Sequence, residues 1–258
     1  MWGFVRKIKD FGTRRFNTEN NYSSFSRARR NELKEKHPEI GGEERKKMID
    51  EEWEQKCRER ENYENRMLLN RDFYLQDTLK VAYELLGKVI EHQTPEGTIA
   101  VIINETEAYT DYDPGSISYK GKKTTRSSWM FTDGGNIFLY KSMGIHLIWN
   151  IITETPDRGC GVLVRGCIHL RGTEFLNGIE KVKNVLKAMD GPGKVTKKLR
   201  IPMEYNGTSI IHPDSPIKIY DEGYIPQNVK TTTRINVPND LPWRFVCNEF
   251  LKNNEIYP

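Results

Sequence analysis

Hydrophobic and polar positions follow two different periods along this chain, and the change falls near residue 70. Before it, Tyr22, Phe25, Ala28/Arg29 and Leu33 recur at helical spacing, and Met48, Ile49 and Trp53 do so again. Between them, His37-Pro38 is expected to end the first helix, because the residue before a proline is pushed out of the α region. Gly41-Gly42 supplies the turn, and Glu43 and Glu44 suit the positive N-terminal end of a second helix. A short third helix is predicted through Tyr63 and Met67. So few apolar positions support a small helical module and no more.

From Asp72 the pattern differs, and β-branched-rich apolar runs dominate. Leu75–Leu86 is predicted as an amphipathic helix closed by Gly87. Strands are predicted at Lys88–Glu91 and Thr98–Asn104, around a Pro95-Glu96-Gly97 turn, and at Asn136–Tyr140, Ile145–Ile152 and Gly161–Gly166. A helix over Ile179–Met189 and late strands at Ile217–Tyr220 and Thr231–Asn236 complete the pattern. Strands dominate and helices interrupt them irregularly. The fold class expected is α+β: a mixed, mainly antiparallel, curved β-sheet with surrounding helices and a protruding β-hairpin, preceded by a small all-helical module.

Composition changes this picture at the N-terminus. Of 258 residues, 36% are hydrophobic and 29% charged, and the net charge is only +4. Residues 1–36 nevertheless hold ten Lys/Arg against four acids, so that stretch carries +6 and the remainder about −2. A basic leading segment on a near-neutral body points to a polyanion partner, nucleic acid before membrane, with a solvated basic tail as the alternative. The four cysteines form no C-x-x-C pair and lack zinc-site spacing, which fits a reducing, intracellular compartment. The first ten residues are too short and too charged for a signal-peptide core. No run approaches the ~18 apolar residues of a membrane span, so no membrane association is expected.

Several segments carry candidate chemistry, each with a plainer alternative. Alternation in Ile102–Tyr109 places Glu105 and Glu107 on one face with Tyr109 beside them, unless this is an exposed strand end with solvated acids. The loop from Asp113 to Arg126 gathers Lys120, Lys122, Lys123, Thr124, Thr125 and Arg126, a composition suited to phosphate contact or merely to solubility. Met143-Gly144, next to Lys141, would sit at a hairpin tip, where an apolar side chain can wedge into a minor groove or pack ordinarily. Arg165 ends the apolar run Val162–Val164 and, if buried, needs a carboxylate partner, for which either glutamate would serve. Gly191-Pro192-Gly193-Lys194 offers amides and a cation before a helix.

None of these motifs is specific alone, but their order is. Glu105–Tyr109, Asp113-Pro114, Gly121-Lys122, Arg126, Met130-Phe131, the Tyr140…Gly144…Asn150 unit, Val162–Arg165, Gly191–Lys194, Arg234-Ile235 and Pro242–Phe245 together resemble the alkyladenine (3-methyladenine) DNA glycosylase family over residues 71–250. The resemblance implies a monofunctional glycosylase that flips alkylated or deaminated purines out of double-stranded DNA and hydrolyses the N-glycosidic bond. Glu107 matches the base that activates water, and Arg165 with the Ile235 carbonyl matches the groups that hold it. Tyr109 and Tyr140 match the aromatics that sandwich the base. Ile117, Phe138 and Leu163 fall in the pocket, and Asn150 matches the side chain that disfavours the exocyclic amine of guanine. Met143 takes the wedge position; Thr125, Arg126, Lys141, Gly193 and Lys194 are the expected DNA contacts. No metal, no organic cofactor and a monomer are implied, in a cell compartment where DNA is maintained, nuclear or otherwise.

Two departures stand out. Ile117 occupies a pocket-loop position where the family commonly has histidine, which predicts an altered lesion range. Met143 stands where an aromatic is frequent. A weaker resemblance links Tyr22, Phe25, Arg29-Arg30, Leu33, His37–Glu39, Trp53 and Tyr63-Glu64 to an HMG box, a three-helix minor-groove binder, with an unrelated basic helical hairpin as the alternative. The expected organisation is a basic arm over residues 1–20, a DNA-binding helical module over 21–70 that uses Arg29 and Arg30, and a catalytic domain over 71–258. A non-catalytic damaged-DNA-binding protein with a degenerate pocket is the competing reading.

Overall fold

The computed structural model describes residues 18–64, 66–172 and 189–257 and divides into two compact units, Met1–Glu64 and Asn65–Pro258. The expected helix over Ile179–Met189 and most of the basic arm lie outside the described residues.

The first unit is a helical hairpin of α1 (Thr18–Lys36) and α2 (Gly42–Glu64). The first helix stops one residue before His37-Pro38, as the proline dictates. Where the two helices meet, Leu33 and Ile49 are buried, and Trp53 packs against Phe25 and Tyr22 with ring centroids 5.2 and 5.7 Å apart. The expected third helix is not formed. Instead α2 runs on to Glu64, and Met67–Leu68, already part of the second unit, becomes β1, a strand of that unit's own sheet. Met67 has a hydrogen-bonding edge to join, which outweighs the helical spacing that suggested a further turn.

In the second unit the elements continue with α3 (Arg71–Tyr74), α4 (Thr78–Glu84), β2 (Val89–Thr94), β3 (Gly97–Tyr109), β4 (Ile137–Ser142), β5 (His146–Ile152), β6 (Gly161–Arg171) and α5 (Pro192–Lys198). They end with β7 (Ile217–Asp221), β8 (Ile225–Gln227), β9 (Lys230–Thr232), β10 (Arg244–Val246), β11 (Glu249–Lys252) and β12 (Glu255–Tyr257). The helix expected from Leu75 begins only at Thr78, because the Asp77 side chain caps it by accepting from the Leu79 and Lys80 amides. The class is α+β, and every strand pairing among the described residues is antiparallel.

The main sheet runs β1-β7-β2-β3-β6-β5-β4, and a second, three-stranded sheet runs β12-β11-β8. At 13 residues, β3 is long enough to take β2 and β10 in succession along one edge while β6 lines the other. This extends the expected Thr98–Asn104 strand to Tyr109, so both glutamates lie inside the sheet. The core fills behind it with Ile90, Val101, Ile103, Trp149, Val162 and Phe250, all fully or almost fully buried. The expected late strand Thr231–Asn236 ends at Thr232. Beyond it the chain turns so that Arg234 points inward, and Asn236 takes a left-handed φ of 60°.

Candidate active site

Register places one residue per strand in a row across the sheet. Glu107 on β3 pairs with Leu163 on β6, Leu163 with Asn150 on β5, and Asn150 with Phe138 on β4; on the other side Arg244 of β10 stands opposite Glu107. Directly opposed residues project from the same face, so this row forms the floor of one site. Tyr109 and Tyr140 stand two residues along from Glu107 and Phe138, on that same face by alternation.

Glu107 has no solvent exposure, which removes the reading of a solvated strand end. Its Oε1 accepts from the Ile235 amide at 2.9 Å and lies 3.5 Å from Arg165 Nε; its Oε2 accepts from the Tyr109 hydroxyl at 2.9 Å. Arg165 Nε sits closer, at 2.9 Å, to Glu105 Oε1, which also accepts from Arg244 Nε at 2.6 Å. Arg165 therefore serves both glutamates. The register explains how: Glu105 pairs with Gly166 and Thr106 with Val164, so Arg165 is the unpaired residue of a bulge, and a bulge re-aims a side chain. The close approach also requires Gly166, where an added Cβ would fall 2.9 Å from Glu105 Cβ. At Ile235 the observed contact to Glu107 is through the amide N–H, not the carbonyl expected to hold water.

Around the carboxylates the environment is aromatic. Burial pushes the Tyr109 hydroxyl well above its ordinary pKa, and the neighbouring Glu107 charge adds to this against the opposing Arg234. Burial likewise raises Tyr140, against the opposing charge of Arg126, whose guanidinium lies 4.7 Å from the ring centroid. Phe138 stacks on Tyr140 at 5.3 Å, and Ile117 packs with both against Met130 and Ile152. Ile117 is thus brought to the pocket residues. Asn150 is buried and its Nδ2 donates to no protein group.

Residues 72–250 match a sequence model described as methylpurine-DNA glycosylase. The chain belongs to the methylpurine-DNA glycosylase family. A provisionally named 3-methyladenine DNA glycosylase of Methanoculleus marisnigri is 36% identical over 185 residues, covering 69% of this chain and 94% of the relative. Similarly named proteins of Carboxydothermus hydrogenoformans (32% over 191 residues, 73% and 97%) and Bacillus subtilis (32% over 179 residues, 67% and 89%) match over comparable spans. This methylpurine-DNA glycosylase family member is accordingly an enzyme of DNA repair acting on DNA. The family match begins beyond the helical hairpin of α1 and α2.

On the glycosylase unit the expected DNA contacts group unevenly. Thr125, Arg126 and Lys141 line a shallow cavity of about 380 Å³ with Trp129, Tyr140 and Met203, beside the aromatic pocket. Met143 and Gly144 form the β4–β5 turn with left-handed φ values of 50° and 72°, and Met143 is 85% exposed. Ile145 beside it is 78% exposed, so the tip presents two apolar side chains where sequence suggested one. Gly193 packs close against His146 beside the turn of this hairpin, and the Gly191 amide donates to the Arg165 carbonyl at 2.9 Å. Lys194 is paired with Asp190. In the helical unit Arg29 is tied to Glu32 and Glu52 at 2.6 and 2.7 Å, whereas Arg30 is exposed.

Sequence reasoning assigned no role to Arg234, Asp113, Asn239 and Arg244. Arg234 and Asp113 form a pair with no side-chain exposure, although 121 residues separate them. Their only sequence signal was membership of motifs whose order carried the resemblance. Local periodicity does not register contacts of that range. Among the described residues, no group of three or more His, Cys, Asp or Glu is placed to hold a metal ion.

Proposed function

We propose that this glycosylase flips a damaged purine, alkylated or deaminated, out of duplex DNA and hydrolyses its N-glycosidic bond with a water activated by Glu107. The observation that carries this is the state of Glu107: a fully buried carboxylate with two donors on it, the Ile235 N–H and the Tyr109 hydroxyl, and the Arg165 guanidinium 3.5 Å away as a paired charge. An ionised carboxylate has about four lone-pair positions. Two are engaged, by the Ile235 amide and the Tyr109 hydroxyl, which leaves room for a water hydrogen. In the reaction a water oxygen bonds to the sugar C1′ carbon, Glu107 takes the proton, and the C1′–N bond breaks with its electron pair leaving on the base. The ionised carboxylate also opposes the positive charge that develops on the sugar. Arg165, shared with Glu105, keeps the two acids compatible in a confined space.

Tyr109, Tyr140 and Phe138 supply apolar stacking surface for the extruded base, and the unpartnered Asn150 amide supplies an edge contact. Ile117 offers apolar contact where the family commonly has an imidazole, which favours lesions recognised by stacking. The exposed Met143–Ile145 tip suits the gap left in the duplex. The N-terminal hairpin adds nonspecific affinity through its exposed cations. Arg30 contributes more than the paired Arg29. Two described helices fit the basic helical hairpin better than the three-helix box.

The test is single-turnover release of hypoxanthine, 1,N6-ethenoadenine and 3-methyladenine from defined duplexes, wild type beside Glu107→Gln. Release should fall by about 10² to 10⁴-fold in the variant, with binding to the damaged duplex retained. Comparable turnover by Glu107→Gln would refute its role as base. Absence of release from both, with tight lesion binding, would favour the damage-binding reading.

A further inference from the structure

We infer that the buried Arg234–Asp113 pair is the positioning element of this site, fixing the base-stacking ring and the acting carboxylate as one unit. The inference rests on the hydrolytic reading above. Arg234 Nη2 donates to Asp113 Oδ1 at 2.9 Å and to Asn239 Oδ1 at 3.0 Å, and Nη1 reaches Asp113 Oδ2 and the Ala108 carbonyl, the latter at 2.7 Å. Ala108 lies between Glu107 and Tyr109 in the chain. Its carbonyl is held by Arg234 and its amide donates to the Trp243 carbonyl at 2.9 Å, so this link of β3 is gripped from both sides.

The same guanidinium lies 4.5 Å from the Tyr109 ring centroid and 5.2 Å from that of Trp243. With a cation against one face of Tyr109, the other face is what remains for a base. The next residue, Ile235, gives its amide to Glu107 Oε1 at 2.9 Å. Asp113 accepts from the Gly115 amide at 2.8 Å and from Asn239 Nδ2 at 3.0 Å, anchoring the loop that leads to Ile117. One pair thus reaches the stacking ring, the carboxylate and the pocket loop.

An ion pair with no exposure is expensive to bury, and apolar side chains of similar volume often serve stability as well or better. A stabilising role alone therefore does not explain an arginine that spends its donors on the backbone between the two site residues. Lysine cannot replace it: a single ammonium has no planar fork to span Asp113 and Ala108 while lying flat on a ring.

The experiment compares Arg234→Lys and Asn239→Ala with wild type at saturating enzyme. It reads the single-turnover rate constant on a hypoxanthine duplex and the fluorescence change when an ethenoadenine duplex is bound. Misplacing reacting groups by about 1 Å costs roughly 10²-fold. Arg234→Lys is expected to lose about 10 to 10²-fold in rate constant with duplex affinity within about threefold of wild type, and to show a diminished ethenoadenine signal. Asn239→Ala, which removes one partly exposed leg of the network, should lose severalfold in the same direction. A purely structural role would lower the fraction of active enzyme, read by titration against lesion duplex, and leave the rate constant at saturation unchanged; that result overturns the inference. If Arg234→Lys does not fold, Asn239→Ala decides, and a wild-type rate constant there overturns it. If wild type releases no base, the hydrolytic reading fails instead. The ethenoadenine signal then decides this one, since unaltered stacking in both variants sinks it.

Discussion

Glu107 and Asn150 stand opposite the same residue: Leu163 on β6 pairs with Glu107 on one side and with Asn150 on the other. Two inter-strand spacings of about 4.8 Å separate the acid from the amide by roughly 10 Å, a span that would accommodate a purine nucleoside between the two in the proposed reaction. The sheet itself therefore sets the distance between chemistry and recognition.

Asn150→Ala is expected to leave stability unchanged or raise it while weakening selection. A buried donor without a partner costs about 1–3 kcal/mol, and its removal recovers part of that. The melting temperature should stay level or rise by a few degrees, at about 2–4 °C per kcal/mol for a chain of this size. The ratio of damaged to undamaged purine release should fall. A melting temperature lowered by several degrees would show that Asn150 is a structural residue.

Ile117→His should redistribute rates among lesions. Ile117 packs with Phe131 and Tyr140 against Met130, Phe138 and Ile152, so a side chain there meets the aromatic pocket. An imidazole adds a hydrogen-bonding edge and removes aliphatic contact. Relative single-turnover rates for hypoxanthine, ethenoadenine and 3-methyladenine should shift by severalfold against one another. Three unchanged ratios would place the position outside the pocket.

Deleting residues 1–64 should weaken binding to undamaged duplex and flatten its dependence on salt, with each lost phosphate contact reducing the logarithmic slope by about 0.9. The second compact unit holds every residue of the row from Phe138 to Arg244, so the single-turnover rate constant should be retained. A slope identical to that of the full chain would remove the N-terminal hairpin from DNA binding.

Acidification should destabilise the fold through His92. Burial lowers the pKa of this imidazole below 6.5, although its bond to the Leu199 carbonyl opposes the shift. Its Nδ1–H donates to that carbonyl at 2.6 Å, and Nε2 faces the Tyr205 hydroxyl at 3.3 Å. Below pH 6.5 the unfolded chain binds a proton that the folded one refuses, so stability is complete above 6.5 and is lost as pH falls toward the lowered value. The slope is at most about 1.4 kcal/mol per pH unit. Denaturant unfolding between pH 8 and 5 should show this decline, and His92→Gln should flatten it.

The sequence and the structure divide the molecule along a physical line. The strands at Val89 and Ile137 were legible as short apolar runs, whose residues are buried in succession, and the strand at Ile217 also alternates buried and part-exposed positions. The end of α1 was legible because proline acts on its immediate neighbour. The third helix expected at Tyr63–Met67 failed where an available edge strand competed for Met67. The turn at Arg234 was read as strand because nothing local records that Asp113 awaits its guanidinium.

By itself the sequence determined the α+β class, a small helical module at the front, the strand carrying Glu105, Glu107 and Tyr109, and, through the order of its motifs, the family. Only the tertiary structure decided that both glutamates are buried, that Arg165 serves both, that Ile235 approaches Glu107 by its amide, and that Arg234 contacts both the Tyr109 ring and the backbone beside the acid. Periodicity and turn chemistry act over a few residues and are written in the local sequence. Charge pairing and bulge geometry join residues far apart in the chain, such as Arg165 with Glu105 and Arg234 with Asp113, and exist only once the strands are in register.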